Sequence, residues 1–369
     1  MGRKINIMDL AKIDKNLVQS NFEVKDGVKR YTLPSEPFSI HGMYYNADEG
    51  RFLRLPAELS EKTSYGIGTL ARMLAGGRII FSTDSDFLEL TIKAQDSEFR
   101  VSTMATTGCA GFSLHEMQSK QWWMFDHNFI PTKEDKTGFT FTKKLRNGKL
   151  GEMRDYIIHT PIYADAKQII IGVNEKAKVE CNYKYRDILP ILYYGSSVTQ
   201  GCCVSRPDMA YQAHIAKWND IDFINLGFSG SAKGEPAMAE YLATIKCSLF
   251  VCAYDYNSES VEQLRDTHYP LYKTFRDANP SVPILFVTRA DTDSTPQSIT
   301  LKRAIILETY ERARREGDNN VYFLDGKDIY GKEDRDKCTI DDCHPNDLGA
   351  YYIAKALYKK FIEIDKKFE

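Results

Sequence analysis

Leu189-Pro-Ile-Leu-Tyr-Tyr-Gly-Ser-Ser-Val-Thr-Gln-Gly201 is a short apolar and aromatic run that breaks off into small and hydroxylated residues. The run predicts a strand over Leu189 to Tyr194, with Gly195-Ser196-Ser197 turning off its carboxyl end. Four more short apolar runs follow at Phe223 to Leu226, Leu249 to Ala253, Ile284 to Thr288 and Val321 to Leu324. Helical patterns fall between and after them, at Met209 to Trp218, Glu235 to Ile245, Ser260 to Asn279, Pro296 to Glu316 and Asp347 to Ile362. Five strands alternating with helices predict an α/β domain with a doubly wound, flavodoxin-like parallel sheet.

Upstream the period changes. From Pro37 to Tyr185 the pattern is two-fold, as in Phe87-Leu-Glu-Leu-Thr-Ile-Lys93 and Phe139-Thr-Phe-Thr142, with Gly, Asp or Asn between the runs. That spacing predicts an all-β sandwich, jelly-roll-like, with one short helical stretch near Glu58 to Leu74. The chain is thus expected to divide into residues 1–186 and 187–369. The connection at Lys184 to Ile188 holds no Pro/Gly/Ser tract, so the two parts should pack together rather than swing on a tether.

Composition narrows the function classes. Of 369 residues 43% are apolar, enough for an ample core, and 49 basic residues nearly balance 51 acidic ones. A net charge of -2 gives no reason to expect a nucleic acid or an anionic membrane as partner. The first ten residues lack the apolar core of a secretory signal, and no long apolar run suggests a membrane span, so a soluble cytoplasmic protein is expected. The eight cysteines form no C-x-x-C pair, and several fall in predicted strands. Reduced, buried thiols are expected, with no disulfide framework, structural metal or organic cofactor.

In an open parallel sheet the loops beyond the carboxyl ends of the strands gather along one edge. Four segments of this chain occupy that edge: Gly195-Ser-Ser197, Gly227-Phe-Ser-Gly230, Tyr254-Asp-Tyr-Asn257 and Asp341-Asp-Cys-His-Pro345. Ser197 offers a hydroxyl, which needs a base to become a nucleophile, and His344 is the candidate. Asp341 is placed to accept the other ring N–H, with Asp342 an alternative. The backbone N–H groups of Ser197 and Gly230 and the side-chain amide of Asn257 supply donors for an oxyanion.

These segments resemble the SGNH, or GDSL-type, hydrolases, and most of all the branch with an N-terminal β-sandwich. The resemblance includes Tyr193 to Gly201, Ser205-Arg-Pro207, Asn225 to Ser231 and Asp341 to Gly349. Phe52-Leu-Arg-Leu-Pro56, Ala75-Gly-Gly77, Phe81 to Ser85 and Gly111-Phe112 extend it to the N-terminal half. It implies Ser197 as nucleophile, Gly230 and Asn257 as oxyanion donors, and His344 with Asp341 as the base pair. It also implies a carbohydrate esterase acting on acetylated oligosaccharides. Three segments depart from the pattern. Ser196 stands where Asp is commonest, Asp255 and Ser258 flank Asn257, and Gly111-Phe-Ser-Leu-His115 replaces Gly-x-Asp-Leu-Tyr.

Further readings attach to single residues. Arg206 is expected either to hold its loop by a salt bridge or to meet a substrate oxygen. Tyr194 and Tyr256 are candidates for a sugar-stacking surface, together with Tyr193, Tyr254, Trp122 and Trp123, because flat rings bury the C–H face of a pyranose. Half of such adjacent rings are core by strand geometry. The other histidines, His268 included, read as structural. The expected substrate is a small-molecule or oligosaccharide ester taken by an acyl-enzyme on Ser197. Acyl transfer to another acceptor and a decayed carbohydrate-binding site are the alternatives, and acyl length and homo-oligomeric state stay open.

Overall fold

A computed structural model describes residues 22, 24, 26–94, 102–119, 122–132, 137–293 and 297–369. The C-terminal sheet has five parallel strands in the order Phe223–Gly227, Ile191–Gly195, Leu249–Ala253, Ile284–Val287 and Val321–Leu324. In chain order this is 2-1-3-4-5, the predicted flavodoxin-like winding, and the order reverses between the first and third strands. The helices Tyr211–Asn219, Pro236–Thr244, Val261–Ala278, Gln297–Arg315 and Asp347–Ile364 lie within a few residues of the predicted patterns. The expected first residue of the fourth, Pro296, lies outside the described residues. Ser260 caps the third helix by accepting from Gln263 N, and Asn346 caps the last by accepting from Gly349 N.

The N-terminal half contains two large antiparallel sheets, as its two-fold period predicts, and a small two-stranded one that pairs Tyr44–Asn46 with Arg51–Leu53. One has the order Val28–Thr32, Gln168–Asn174, Phe87–Lys93, Gly138–Lys144. The other runs Val179–Glu180, Arg78–Thr83, Arg154–His159, Phe112–Ser119, Trp122–Phe129, with Ser39–His41 also paired to Arg78–Thr83. Leu88, Leu90, Ile169 and Ile171 of the first sheet meet Ile79, Phe81, Tyr156 and Ile158 of the second in one core. The predicted helical stretch is two short helices, Ala57–Lys62 and Tyr65–Ala71.

Alternation also explains how the halves join. Ile80 and Ile157 point away from the sandwich core and pack with Ile191, Tyr193 and Phe223 of the parallel sheet. The Arg78–Thr83 strand is therefore buried along its whole length, with Ile79 and Phe81 toward the sandwich core and Ile80, between Arg78 and Ser82, toward the parallel sheet. Arg78 adds polar contacts, donating to Phe223 O at 2.8 Å and pairing with Asp222, while its guanidinium lies 3.7 Å from the Phe223 ring centroid. His41 Nδ1 sits 2.7 Å from the same Asp222. The two halves share buried apolar and charged contacts, as the missing linker predicts.

Candidate active site

Gly195, Gly227 and Ala253 are aligned partners across the three strands at the reversal point, so the segments that follow them leave the sheet side by side. Ser197 opens a one-turn helix, Ser197–Gln200, which the sequence pattern did not reveal. Ser196 is its N-cap, its hydroxyl accepting from Val198 N at 3.3 Å. Serine and aspartate are about equally good caps, which explains physically why Ser196 can stand where Asp is commonest. Gly227 must be glycine, because a Cβ there would run into the backbone of Thr199 and Gln200. The helix is anchored further by Asn225 Nδ2 and Gln212 Nε2, both donating to Thr199 O, at 2.9 and 2.6 Å.

Ser197 Oγ lies 2.9 Å from Nε2 of His344, 147 positions away in the chain. On the far side of the ring, Nδ1 lies 2.8 Å from Asp341 Oδ2. Asp341 Oδ1 accepts from the backbone N–H of His344 at 2.8 Å and of Cys343 at 3.2 Å. Burial disfavours the Asp341 carboxylate, yet these bonds from His344 and Cys343 hold its pKa below the usual carboxylate range. An ionised Asp341 fixes the ring proton on Nδ1 and turns the Nε2 lone pair toward Ser197. Asp342, the alternative partner, has a left-handed backbone (φ 63°), and its carbonyl accepts from Arg289 at 3.2 Å.

The Phe228 to Gly230 and Asn257 segments are tied to that of Ser197 by hydrogen bonds. Phe228 N donates to Gly195 O at 2.9 Å, and Ser229 N donates to Gln200 Oε1 at 2.9 Å. Asn257 Nδ2 donates one proton to Phe228 O at 2.7 Å, which orients the amide and leaves its second N–H for a ligand. The Ser197 N–H, in the first turn of its helix, has no intrahelical acceptor. Gly230 has φ 65°, a conformation L side chains resist, and a Cβ there would meet no protein atom within 4 Å. The altered block around Asn257 is also accounted for. Asp255 accepts from Arg289 N at 2.8 Å, Ser258 Oγ donates to Asp255 O at 3.0 Å, and Lys302 Nζ donates to Ser258 O at 2.6 Å.

Arg206 forms a two-pronged pair with Asp208, at 3.1 and 3.0 Å, and stacks 4.1 Å from the Phe125 ring centroid. His115 of the sandwich reaches the same Asp208 at 3.3 Å. The segment in which His115 replaces Tyr thus docks the loop after Ser197. Of the two readings of Arg206, the loop salt bridge is the one the contacts describe. Asp347 holds this loop to the histidine segment by accepting from Ser205 N and Oγ at 2.7 and 2.6 Å.

The aromatic candidates need correction. Tyr194 is fully buried in the sheet's core, its hydroxyl accepting from Gly234 N at 3.0 Å, so it offers no surface to a sugar. Tyr193, Tyr254 and Trp123 are buried as well, and the side chain of Trp122 lies outside the described residues. Tyr256 is half-buried, with the Arg289 guanidinium 5.0 Å from its centroid. The strand period explains this: in a sheet covered by helices on one side and by the sandwich and further helices on the other, both faces are core. His268 is buried between Tyr254 and Phe286, and burial lowers its pKa to about 3.

Sequence reasoning missed Arg54. Its buried guanidinium reaches out from the sandwich half and donates to Met73 O, Asn225 O, Gly227 O and Leu70 O at 2.6, 2.9, 3.0 and 2.8 Å. It thereby fixes the carbonyl that precedes the Phe228 to Gly230 loop. A lone Arg inside Phe52-Leu-Arg-Leu-Pro56 was the available signal, since a charge within an apolar run must find partners. Among the described residues, the side chains that could hold a metal ion together are Cys202, Cys203 and His344, whose ligand atoms lie within 4.8 Å of one another.

Residues 189–363 match the GDSL-like Lipase/Acylhydrolase family, and residues 29–179 match the N-terminus of Esterase_SGNH_hydro-type. No curated protein matches the chain in sequence. Among solved structures the chain is similar to a GDSL-like lipase candidate from Bacteroides ovatus ATCC 8483, with a TM-score of 0.81 at 25% identity over 92% of this chain and 98% of that one. It also shares the fold of the salicylyl-acyltransferase SsfX3 from a tetracycline biosynthetic pathway, with a TM-score of 0.76 at 15% identity over 93% and 98% of the two chains. A family two carbohydrate esterase from Clostridium thermocellum, solved with cellohexaose, has a TM-score of 0.61 at 14% identity over 90% and 100%. Residues 189–363 thus belong to the GDSL-like lipase/acylhydrolase family, and residues 29–179 carry the N-terminal domain of SGNH-type esterases.

Proposed function

We propose that the protein is a serine ester hydrolase that removes short acyl groups, best acetyl, from O-acylated oligosaccharides. The observation that carries this reading is the relay from Ser197 Oγ through His344 to Asp341, at 2.9 and 2.8 Å, on the sheet edge where the strand order reverses. Ser197 Oγ attacks the ester carbonyl carbon while its proton passes to Nε2 of His344. The carbonyl oxygen becomes an oxyanion and takes the N–H groups of Ser197 and Gly230 and the second amide proton of Asn257. The C–O bond to the sugar breaks, and the departing oxygen collects the proton from His344. Water then gives a proton to His344, attacks the acyl-Ser197 carbonyl and releases the acid, and the proton returns to Ser197 Oγ.

Removing one oxyanion donor from such a site costs about 3 kcal/mol, or about a hundredfold in rate. The carbohydrate part of the proposal is supported by the fold shared with a carbohydrate esterase and by a near-neutral chain that suits an uncharged ligand. Mass spectrometry of acetylated xylo- and manno-oligosaccharides incubated with wild type and Ser197→Ala tests it. Loss of one acetyl unit with wild type only is the expected result. Cleavage confined to long-chain esters would overturn the substrate assignment, and an acyl group recovered on an added sugar acceptor would replace hydrolysis by transfer.

A further inference from the structure

We infer that Cys202, Cys203 and His344 form a binding site for a soft divalent cation of the Zn2+ or Cd2+ kind, and that filling it switches Ser197 off. The inference rests, for its effect on activity, on the reading of His344 as the base. Cys202 and Cys203 are free thiols, both buried, with their sulfurs 3.4 Å apart. Together with a ring nitrogen of His344 they place three ligand atoms within 4.8 Å of one another.

Adjacent side chains in extended backbone point apart, so two neighbouring sulfurs on one side need a special local geometry. Cys203 has it: its backbone is left-handed, with φ 71°, a conformation that a non-glycine residue adopts at a cost of about 1 kcal/mol. Metal–sulfur bonds of about 2.3 Å at a tetrahedral centre set two sulfurs about 3.8 Å apart, so the pair needs to open by only a few tenths of an ångström. Two thiolates and an imidazole select soft and borderline ions over Mg2+ or Ca2+, which prefer oxygen. Three protein ligands leave a fourth position for water.

Coordination is a proton-coupled exchange. Each thiol gives up its proton to solvent and its sulfur lone pair to the metal, and His344 gives a nitrogen lone pair. Both ring nitrogens are already engaged, Nε2 by Ser197 and Nδ1 by Asp341. Coordination through Nε2 breaks the bond to Ser197, whereas coordination through Nδ1 moves its proton to Nε2 and breaks the bond to the carboxylate. Either way Ser197 loses its base. Cysteine spacing alone carried no hint of this, because the third ligand arrives from position 344, far along the chain.

The test is a Cd2+ titration of the full chain, kept reduced with a phosphine. Ultraviolet thiolate-to-cadmium charge transfer and p-nitrophenyl acetate hydrolysis are read in parallel. One Cd2+ per chain should saturate the band, and hydrolysis should fall about 100-fold in step, recovering with EDTA. Ser197→Ala should keep the full band with no hydrolysis. A band in a wild-type protein that never hydrolyses the ester would therefore sink the esterase reading and leave the metal site standing. Cys203→Ser, and separately the Cys202→Ser/Cys203→Ser pair, should lose the band and the inhibition, each scored against its own metal-free rate and checked for folding by circular dichroism. Cys343→Ser should retain both. The inference is overturned by absence of the band, by its persistence without Cys202 and Cys203, or by full occupancy with undiminished hydrolysis.

Discussion

Arg54→Met should loosen the junction between the sandwich and the parallel sheet and disturb the oxyanion loop at once. In the wild type, four carbonyl oxygens are bound by one buried guanidinium, each a charge-assisted bond contributing about 1.5 to 3 kcal/mol. Against this stands the desolvation that lowers the Arg54 pKa from 12.5 to about 9, equivalent to about 5 kcal/mol. The side chain thus stabilises the fold by a modest margin. Its removal costs more than that margin, because the carbonyls of Leu70, Met73, Asn225 and Gly227 lose a buried donor together. Breaking a buried charged network in this way costs about 4 kcal/mol, close to a thousandfold in the unfolding equilibrium.

Arg54→Lys should rescue little, since a compact ammonium cannot span the four acceptors of a planar fork. Urea unfolding followed by circular dichroism measures the stability term, and the midpoint should drop with an unchanged slope. Release of the Gly227 carbonyl shifts Phe228 to Gly230, so kcat for p-nitrophenyl acetate should fall about 10²-fold even in folded protein. An Arg54→Met protein with the wild-type urea midpoint and wild-type kcat would refute the assignment of Arg54 as the anchor.

Three further substitutions, one of them read across a pH series, probe the same framework. Gly227→Ala should yield little folded protein, because its methyl group meets backbone atoms of Thr199 and Gln200 that cannot move aside, whereas Gly230→Ala, facing open space, should fold with a loss of only about 1 kcal/mol. Equal thermal stability of the two variants would contradict that difference. Asp255 is fully buried with its pKa raised to about 6 by burial, so between pH 4 and 6 the folded state holds a proton that the unfolded state has released. Stability from this group is therefore greatest below the unfolded value and declines as pH rises through 6, by about 3 kcal/mol in full. Asp255→Asn should flatten that decline and stabilise the protein at pH 7.5, and an unchanged pH dependence of the urea midpoint would show that Asp255 is not the group responsible.

The strand–loop–helix rhythm after Leu189 and the two-fold rhythm before Tyr185 were enough to give both fold classes. Each rhythm is the surface periodicity that its secondary structure must bury. Ser197, Gly230, Asn257 and His344 could be proposed from the sequence because the carboxyl ends of parallel strands are the one edge where distant loops must meet, and the structure does bring Ser197 and His344 into contact there. Tyr194 was misread for the same periodic reason. Alternation says that successive rings face opposite ways, but not that both faces of this sheet are covered.

What the sequence determined by itself was local: which segments are strands and helices, and which chemistry-bearing side chains end up on the loops. Only the tertiary structure decided that Asp341 meets His344, since that depends on how the loop from 341 to 344 folds back on itself, with Asp341 accepting from both the backbone and the ring of His344. The tertiary structure likewise brought Arg54 to the carbonyls of another domain and Cys202 and Cys203 beside His344. Contacts of this kind join residues far apart in the chain. They depend on how two layers pack and on where buried charges find acceptors, and hydrophobic periodicity carries no record of either.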